Sequence, residues 1–351
     1  MDLRKTPTYI HIQILYTFLA IILMTYHATQ HYNISGRSLF FDFFKFGEMG
    51  EDMLFILMGF AVFYTSYHFV EQQFGYKEFM VKTVARIYLT YWLIIAIPGI
   101  LIWFIYPEIH SSISRLSADT LWETFTMWFG HPRIAIITWV LSHLVFFSLV
   151  FSLAILSKKF KLLWYAILFV STINLIDRVF MGSKIFGEEL LYKIFSPHNL
   201  EFAFGAIAYF FLKKGYKITY YKSFLGFAIL IFITVGMLHV YTEFDFYKDR
   251  VLIFGLAAFL LVIAVINYGN FKAPPKNNFL YKLGEAEYIM LMIHGPILSI
   301  IDFKIATHYS WGWILTLLTI FIILTISYFI RIKLEEPSLN YIEKIALKKG
   351  Y

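Results

Sequence analysis

The chain has 351 residues, 59% of them hydrophobic and only 15% charged, and it carries a formal net charge of +7. A water-soluble domain is about 25% charged, so most of this surface cannot face water. The absence of cysteine excludes disulfides, thiol nucleophiles and cysteine-based metal sites.

An apolar run needs roughly 20 residues to cross a hydrocarbon core of ~30 Å. In chain order such runs fall near 9–30, 51–71, 84–106, 134–157, 162–180, 198–213, 223–242, 250–268, 286–302 and 312–333. They predict an all-α polytopic membrane helix bundle with about ten transmembrane helices. The first run lacks a small-residue cleavage site and is followed by further spans, so it reads as a retained helix. The sixth run is short and the ninth contains Gly295-Pro296. Both are expected to tilt or break. Many of the 39 Phe and 25 Tyr are expected at the two membrane interfaces.

Basic residues set the expected orientation. Segments 4–5, 77–86, 158–161, 213–222, 272–282 and 331–349 hold 20 of the 30 Lys and Arg. They occupy every second connection, and this twofold bias predicts both termini in the cytoplasm. The longest predicted outer loop lies near 107–133. With no soluble domain at either end, 1–351 reads as one transmembrane domain with a motif-bearing region of about 9–343. Topology accounts for the positive charge, so nucleic-acid binding has no support.

Ionisable residues inside spans are costly and mark candidate sites. His27, in MTYHATQH, sits at the outer end of the first span. A neutral imidazole near pH 7 is the usual general base for a hydroxyl; an interfacial histidine bonded to a loop is the competing reading. His31 lies one turn further on the same face. Glu51 and Asp52 open the second span, where acidic residues also favour any helix N-terminus. Gly59 then suits close helix packing. Arg86 opens the third span in FMVKTVARIYLTYW, with Lys82 just before it. It reads as an ordinary cytoplasmic anchor or as a guanidinium for phosphates.

His143 lies in the middle of the fourth span with Trp139 four residues before it, and a histidine at that depth needs a partner or a cavity. Glu201 begins the sixth span. In the ninth, seven residues separate Glu287 from His294 and put both on one helical face. Glu336 follows the last span. The HxxxH of His27 and His31 alone does not make a metal site, and no P-loop, GxGxxG or GxSxG is present.

Taken in order, these segments resemble the acyltransferase 3 family of membrane acyltransferases over about residues 12–343. In the family an arginine precedes a histidine by eleven residues on the first helix. ILYTFLAIILMTYH matches that spacing, with His27 on the histidine and Tyr16 in place of the arginine. GEDMLFILMGF is similar to the next family segment and keeps Gly50, Asp52, Phe55, Gly59 and Phe60. FMVKTVARIYL keeps Phe79, Lys82, Arg86, Ile87 and Tyr88, with Thr83 and Leu89 as departures. TWVLSHLVFF resembles the segment with Trp139 and Leu141. EYIMLMIHGP resembles the late element with Tyr288, His294 and Pro296, and EEPSL resembles the final Glu-x-Pro element.

The resemblance implies transfer of an acyl group, most often acetyl, from cytoplasmic acetyl-CoA to a carbohydrate hydroxyl. Acetyl-CoA is then a co-substrate, with no permanently bound cofactor. The implied acceptor is a cell-surface or exported polysaccharide, such as O-antigen, capsule or exopolysaccharide, or a lipid-linked glycan. The implied setting is the lipid bilayer of a bacterial inner membrane. On this reading Arg86 and Lys82 hold the donor's phosphates and the acyl-pantetheine arm threads the bundle. His27 deprotonates the acceptor hydroxyl or transiently carries the acyl group. Asp52 orients His27, as a carboxylate does in a catalytic triad. Tyr16, Trp139, His143, Glu201, Tyr288 and His294 line a channel or the acceptor site. Two rival readings use the same polar residues. One is a transporter or flippase of a lipid-linked glycan, against which the absence of visible inverted repeats counts. The other is a non-catalytic membrane protein of the same fold, favoured by Tyr16 replacing the arginine.

Overall fold

The computed structural model describes residues 6–97, 122–123, 125–127, 138–182, 185–186, 194–242, 250–272, 278–303 and 305–347. These residues form helices and no strand. The helices are α1 Pro7–Ile34, α2 Met49–Gln72, α3 Tyr76–Ala96, α4 Thr138–Leu156, α5 Lys158–Met181, α6 His198–Lys213, α7 Tyr221–Tyr241, α8 Val251–Phe271, α9 Phe279–Gly284, α10 Glu287–Ile301 and α11 Gly312–Ala346.

Each predicted span has its helix. Eight helices among the described residues are long and apolar enough to cross a membrane. The exceptions are α6, with 16 residues, and α10, the two elements expected to depart from a straight span. Pro296 lies inside α10, which widens into a π turn at Ser299–Phe303. The third helix departs from expectation at its start. It begins at Tyr76, after Gly75 takes a left-handed φ of +87°, so Arg86 lies ten residues inside α3 and not at its start. The predicted loop at 107–133 falls outside the described residues except for 122–123 and 125–127.

Local chemistry sets the first helix. Thr6 caps α1 by accepting from the Tyr9 N–H at 3.3 Å, and Pro7 occupies the first turn, where its missing donor costs nothing. The turn at Phe40–Glu48 reverses the chain through positive φ at Phe41 and Asp42, and α2 follows.

The centre of the bundle is α2, packed against α1, α4, α6 and α8. Its side chains Phe55, Ile56, Leu57 and Phe60 are fully buried. α2 and α6 cross closely, where Gly59 and Gly205 let the two backbones touch, as small residues do between membrane helices. A Cβ on Gly205 would collide with the Ile56 carbonyl oxygen and the Phe60 amide nitrogen. Gly205→Val is therefore expected to abolish recovery of folded protein. Gly226→Val, whose Cβ would meet open space, should elute like wild type in detergent gel filtration.

Contacts across helices define two ends. At one, Gln73 bonds the Ala154 carbonyl oxygen and the Lys158 N–H, Lys213 pairs with Glu71, and Asn267 holds Ile218. This basic end also holds the starts of α1, α3 and α10. At the other, Tyr32 meets Thr316, Tyr241 bonds the Phe41 carbonyl oxygen, and His31 meets Ser299. This histidine end also holds the starts of α2, α6 and α8.

Candidate active site

The polar residues singled out in the sequence gather in three places. The first is a cavity of about 470 Å³ that opens at the basic end. Tyr16, Lys82, Arg86 and Tyr288 all line it. So do Glu287, Arg331 and Glu343, which bring charges from α10 and α11 to the same walls. Arg86 donates to Glu287 at 3.1 Å. Lys82 donates to Glu78 at 2.7 Å and lies 3.8 Å from Glu343. Arg331 donates to the buried Glu335, which also accepts from Thr90. Each cation of the mouth thus faces a carboxylate. Glu78 is among the more exposed of these acids, and an incoming anion would replace it at least cost. The cavity continues inward past Val140, Leu141 and Leu144 to Leu291 and Met292.

The second place begins two residues beyond Met292. His294 on α10 lies against His27 on α1, with ring centroids 5.1 Å apart and planes tilted by 36°. Tyr26 flanks His27 at 5.0 Å. Nδ1 of His294 lies 3.1 Å from the Met290 carbonyl oxygen. His31, one turn beyond His27, has its Nε2 3.4 Å from the Ser299 hydroxyl. Along α1, the eleven residues from Tyr16 to His27 span about 16 Å at 1.5 Å per residue. The mouth and the imidazole pair are therefore the two ends of one helix seam.

The third place corrects an expectation. Asp52 does not orient His27. Both of its carboxylate oxygens accept from Nε of Arg250, at 3.0 and 3.1 Å. Arg250 also donates to Glu48 at 2.9 Å, to the Glu48 carbonyl oxygen at 3.2 Å and to Glu51 at 2.8 Å. A guanidinium presents five donors in a fixed fork, and here one such fork ties the first turn of α2 to the start of α8. Beside it, Glu201 pairs with Nδ1 of His198 at 2.7 Å. His198 stacks on Phe55 at 4.6 Å, and Trp139 and His143 stand against the same ring. Trp139, His143 and Glu201 thus belong to this cluster and do not line the cavity.

Asp52, His198 and Glu201 each offer a ligand atom within 4.8 Å of the others. Arg250 already bonds both oxygens of Asp52, so that carboxylate is engaged by a guanidinium.

Sequence reading missed Arg250, His198 and Arg331. Arg250 looks like one basic residue in a minority outer connection. Its signal was the demand side: Glu48, Glu51, Asp52 and Glu201 all stand at helix starts of one end of the bundle, and that much buried acid requires a cation. His198 was legible as the i, i+3 partner of Glu201.

A family model described as an acyltransferase domain matches residues 14–332. No curated protein and no solved structure matches the chain.

Proposed function

The chain belongs to the acyltransferase 3 family and is a membrane acyltransferase, and from that premise we propose that it carries acetyl from cytoplasmic acetyl-CoA to a hydroxyl of a cell-surface or exported polysaccharide. One observation supports this reading most. A single cavity runs from Lys82, Arg86 and Arg331 at its mouth to Leu291 and Met292, next to the His27–His294 pair. Such a passage suits a donor with an anionic head and a long, thin acyl arm. Guanidinium and ammonium groups bind phosphates, and the apolar walls suit a pantetheine chain.

The basic end faces the cytoplasm in this reading, because it carries the positive-inside bias. The histidine end then faces away from the cytoplasm, where exported or lipid-linked glycans present their hydroxyls. The membrane is the bacterial inner membrane. The acyl group reaches the imidazole pair through the cavity, and the hydroxyl meets it from the opposite side. Fold alone does not set the substrate, so the test must find the acceptor itself. Cells lacking the gene are compared with cells expressing the chain, and purified surface glycans are weighed by mass spectrometry before and after mild alkali. An alkali-labile increment of acetyl size, present only with the protein, is expected. Unchanged glycans with the protein present in the membrane would overturn the acceptor assignment.

Arg86→Ala is expected to raise KM for acetyl-CoA about 10- to 100-fold, the worth of a charged hydrogen bond of ~1.5–3 kcal/mol. The effect on kcat should be smaller, because Arg86 binds the donor's far end. Initial rates over a range of acetyl-CoA concentrations check this.

A further inference from the structure

Two imidazoles share the candidate chemical centre, and their surroundings differ. His294 is 4% exposed, and its Nδ1 faces the Met290 carbonyl oxygen at 3.1 Å. A carbonyl only accepts hydrogen bonds, so Nδ1 carries the proton and Nε2 of the neutral ring keeps a bare lone pair. The ring also meets the Leu291 backbone of the same helix, and no side chain among the described residues hydrogen-bonds that Nε2. His27 is half-buried, and neither of its nitrogens is hydrogen-bonded among the described residues; its ring contacts are Tyr26 and His294. Its tautomer is unconstrained, so it can turn an N–H toward a substrate. The rings make no direct hydrogen bond, yet at 5.1 Å one reacting centre can touch both.

We propose that His294, rather than His27, is the base that takes the acceptor's proton, and that His27 donates an N–H to the oxygen that becomes negative. This rests on the acyl-transfer reading above. Fixing Nδ1–H with a hydrogen-bond acceptor is how a triad aims its histidine base, and here a backbone carbonyl on the same helix does it. A neutral imidazole can equally act as the electrophilic donor to a developing oxyanion.

The step balances as follows. The hydroxyl oxygen bonds to the thioester carbonyl carbon while its proton passes to Nε2 of His294. The carbonyl oxygen gains the negative charge and accepts from His27. The carbonyl then re-forms, the C–S bond breaks, and the thiolate leaves with the electron pair. The thiolate takes a proton from water at the cavity mouth, and His294 returns its proton to water at the histidine end.

Glutamine separates the two roles. Its amide donates an N–H but cannot take up a proton at neutral pH. His27→Gln should keep transfer within about tenfold of wild type. His294→Gln should be as inactive as His294→Ala, a loss on the order of 10²–10⁴-fold. Transfer is read as label passing from radioactive acetyl-CoA into the alkali-labile glycan fraction of membranes, with each variant checked for folding by detergent gel filtration. His294→Asn, whose amide also reaches the Met290 carbonyl, replaces His294→Gln should the latter not fold. Activity in His294→Gln with inactivity in His27→Gln returns the base to His27 and overturns the proposal. Equal losses in both glutamine variants overturn it as well. Full activity in both His27→Ala and His294→Ala would instead remove the imidazole pair from the chemistry and sink the underlying reading of the site.

Discussion

His27→Ala is expected to lower acyl transfer on the order of 10²–10⁴-fold, the range for losing a general base or an oxyanion donor, while the protein stays folded. The separation of the two effects follows from the contacts of the ring. Large destabilisation comes from orphaning a buried polar partner or opening a sealed void. The His27 ring has no hydrogen-bond partner among the described residues, touches Tyr26 and His294, and is only half-buried. Truncation therefore strands no donor or acceptor. The thermal midpoint in detergent should stay within a few degrees of wild type, as expected for a change below ~1 kcal/mol. Wild-type acetyl incorporation in a folded His27→Ala protein would exclude His27 from the reaction.

The contrast with Asp52 shows how far the sequence could be read. Hydrophobic length placed the long apolar helices, because a membrane leaves few alternatives to a helix of about 20 apolar residues, but not the short α9. Even the two irregular elements were legible, from the shortness of the sixth run and the Gly-Pro of the ninth. Residues on one helix were also placed together correctly: Glu287 and His294 share α10, and Tyr16 and His27 share α1. Pairings between helices were not legible. Asp52 and His27 both lie toward the histidine end, and a carboxylate beside a histidine invites a triad. Nothing in the spacing says that Asp52 turns toward α8 and Arg250 instead. The same limit applies to Arg86. Its place in the motif suggested a guanidinium for phosphate, and nothing in the spacing said that α10 supplies Glu287 against it.

Tyr16, which stands where the family has an arginine, is buried and lines the cavity with Arg86. A phenol there carries no charge, so Arg86 is left as the nearest cation of that stretch of wall. The site keeps a cationic mouth without the family's first-helix arginine, and the departure at Tyr16 does not by itself argue for an inactive protein.

Arg250→Met is expected to cost roughly 3–5 kcal/mol of stability, the penalty for removing one partner from a buried ion cluster. The expectation rests on the imbalance of the hub. Glu48, Glu51 and Asp52 all receive hydrogen bonds from this one guanidinium, and Glu201 lies alongside within 4.8 Å of Asp52 by ligand atom. Without Arg250 these acids lose the cation that ties the first turn of α2 to α8, in surroundings where uncompensated charge is most expensive. His239, which pairs with Glu48 at 3.2 Å, can offset only part of that deficit. Arg250→Lys should fall between wild type and Arg250→Met, since an ammonium keeps the charge but not the fork that reaches three carboxylates at once. Adding Asp52→Asn to Arg250→Met should recover part of the loss, because the two changes act on one network and are not additive. Thermal unfolding of the four proteins in the same detergent decides the matter. A midpoint for Arg250→Met equal to wild type would mean that the hub does not hold the histidine end together. In that case its buried acids must be neutralised by protons instead, and the cluster would be a proton store rather than a clamp.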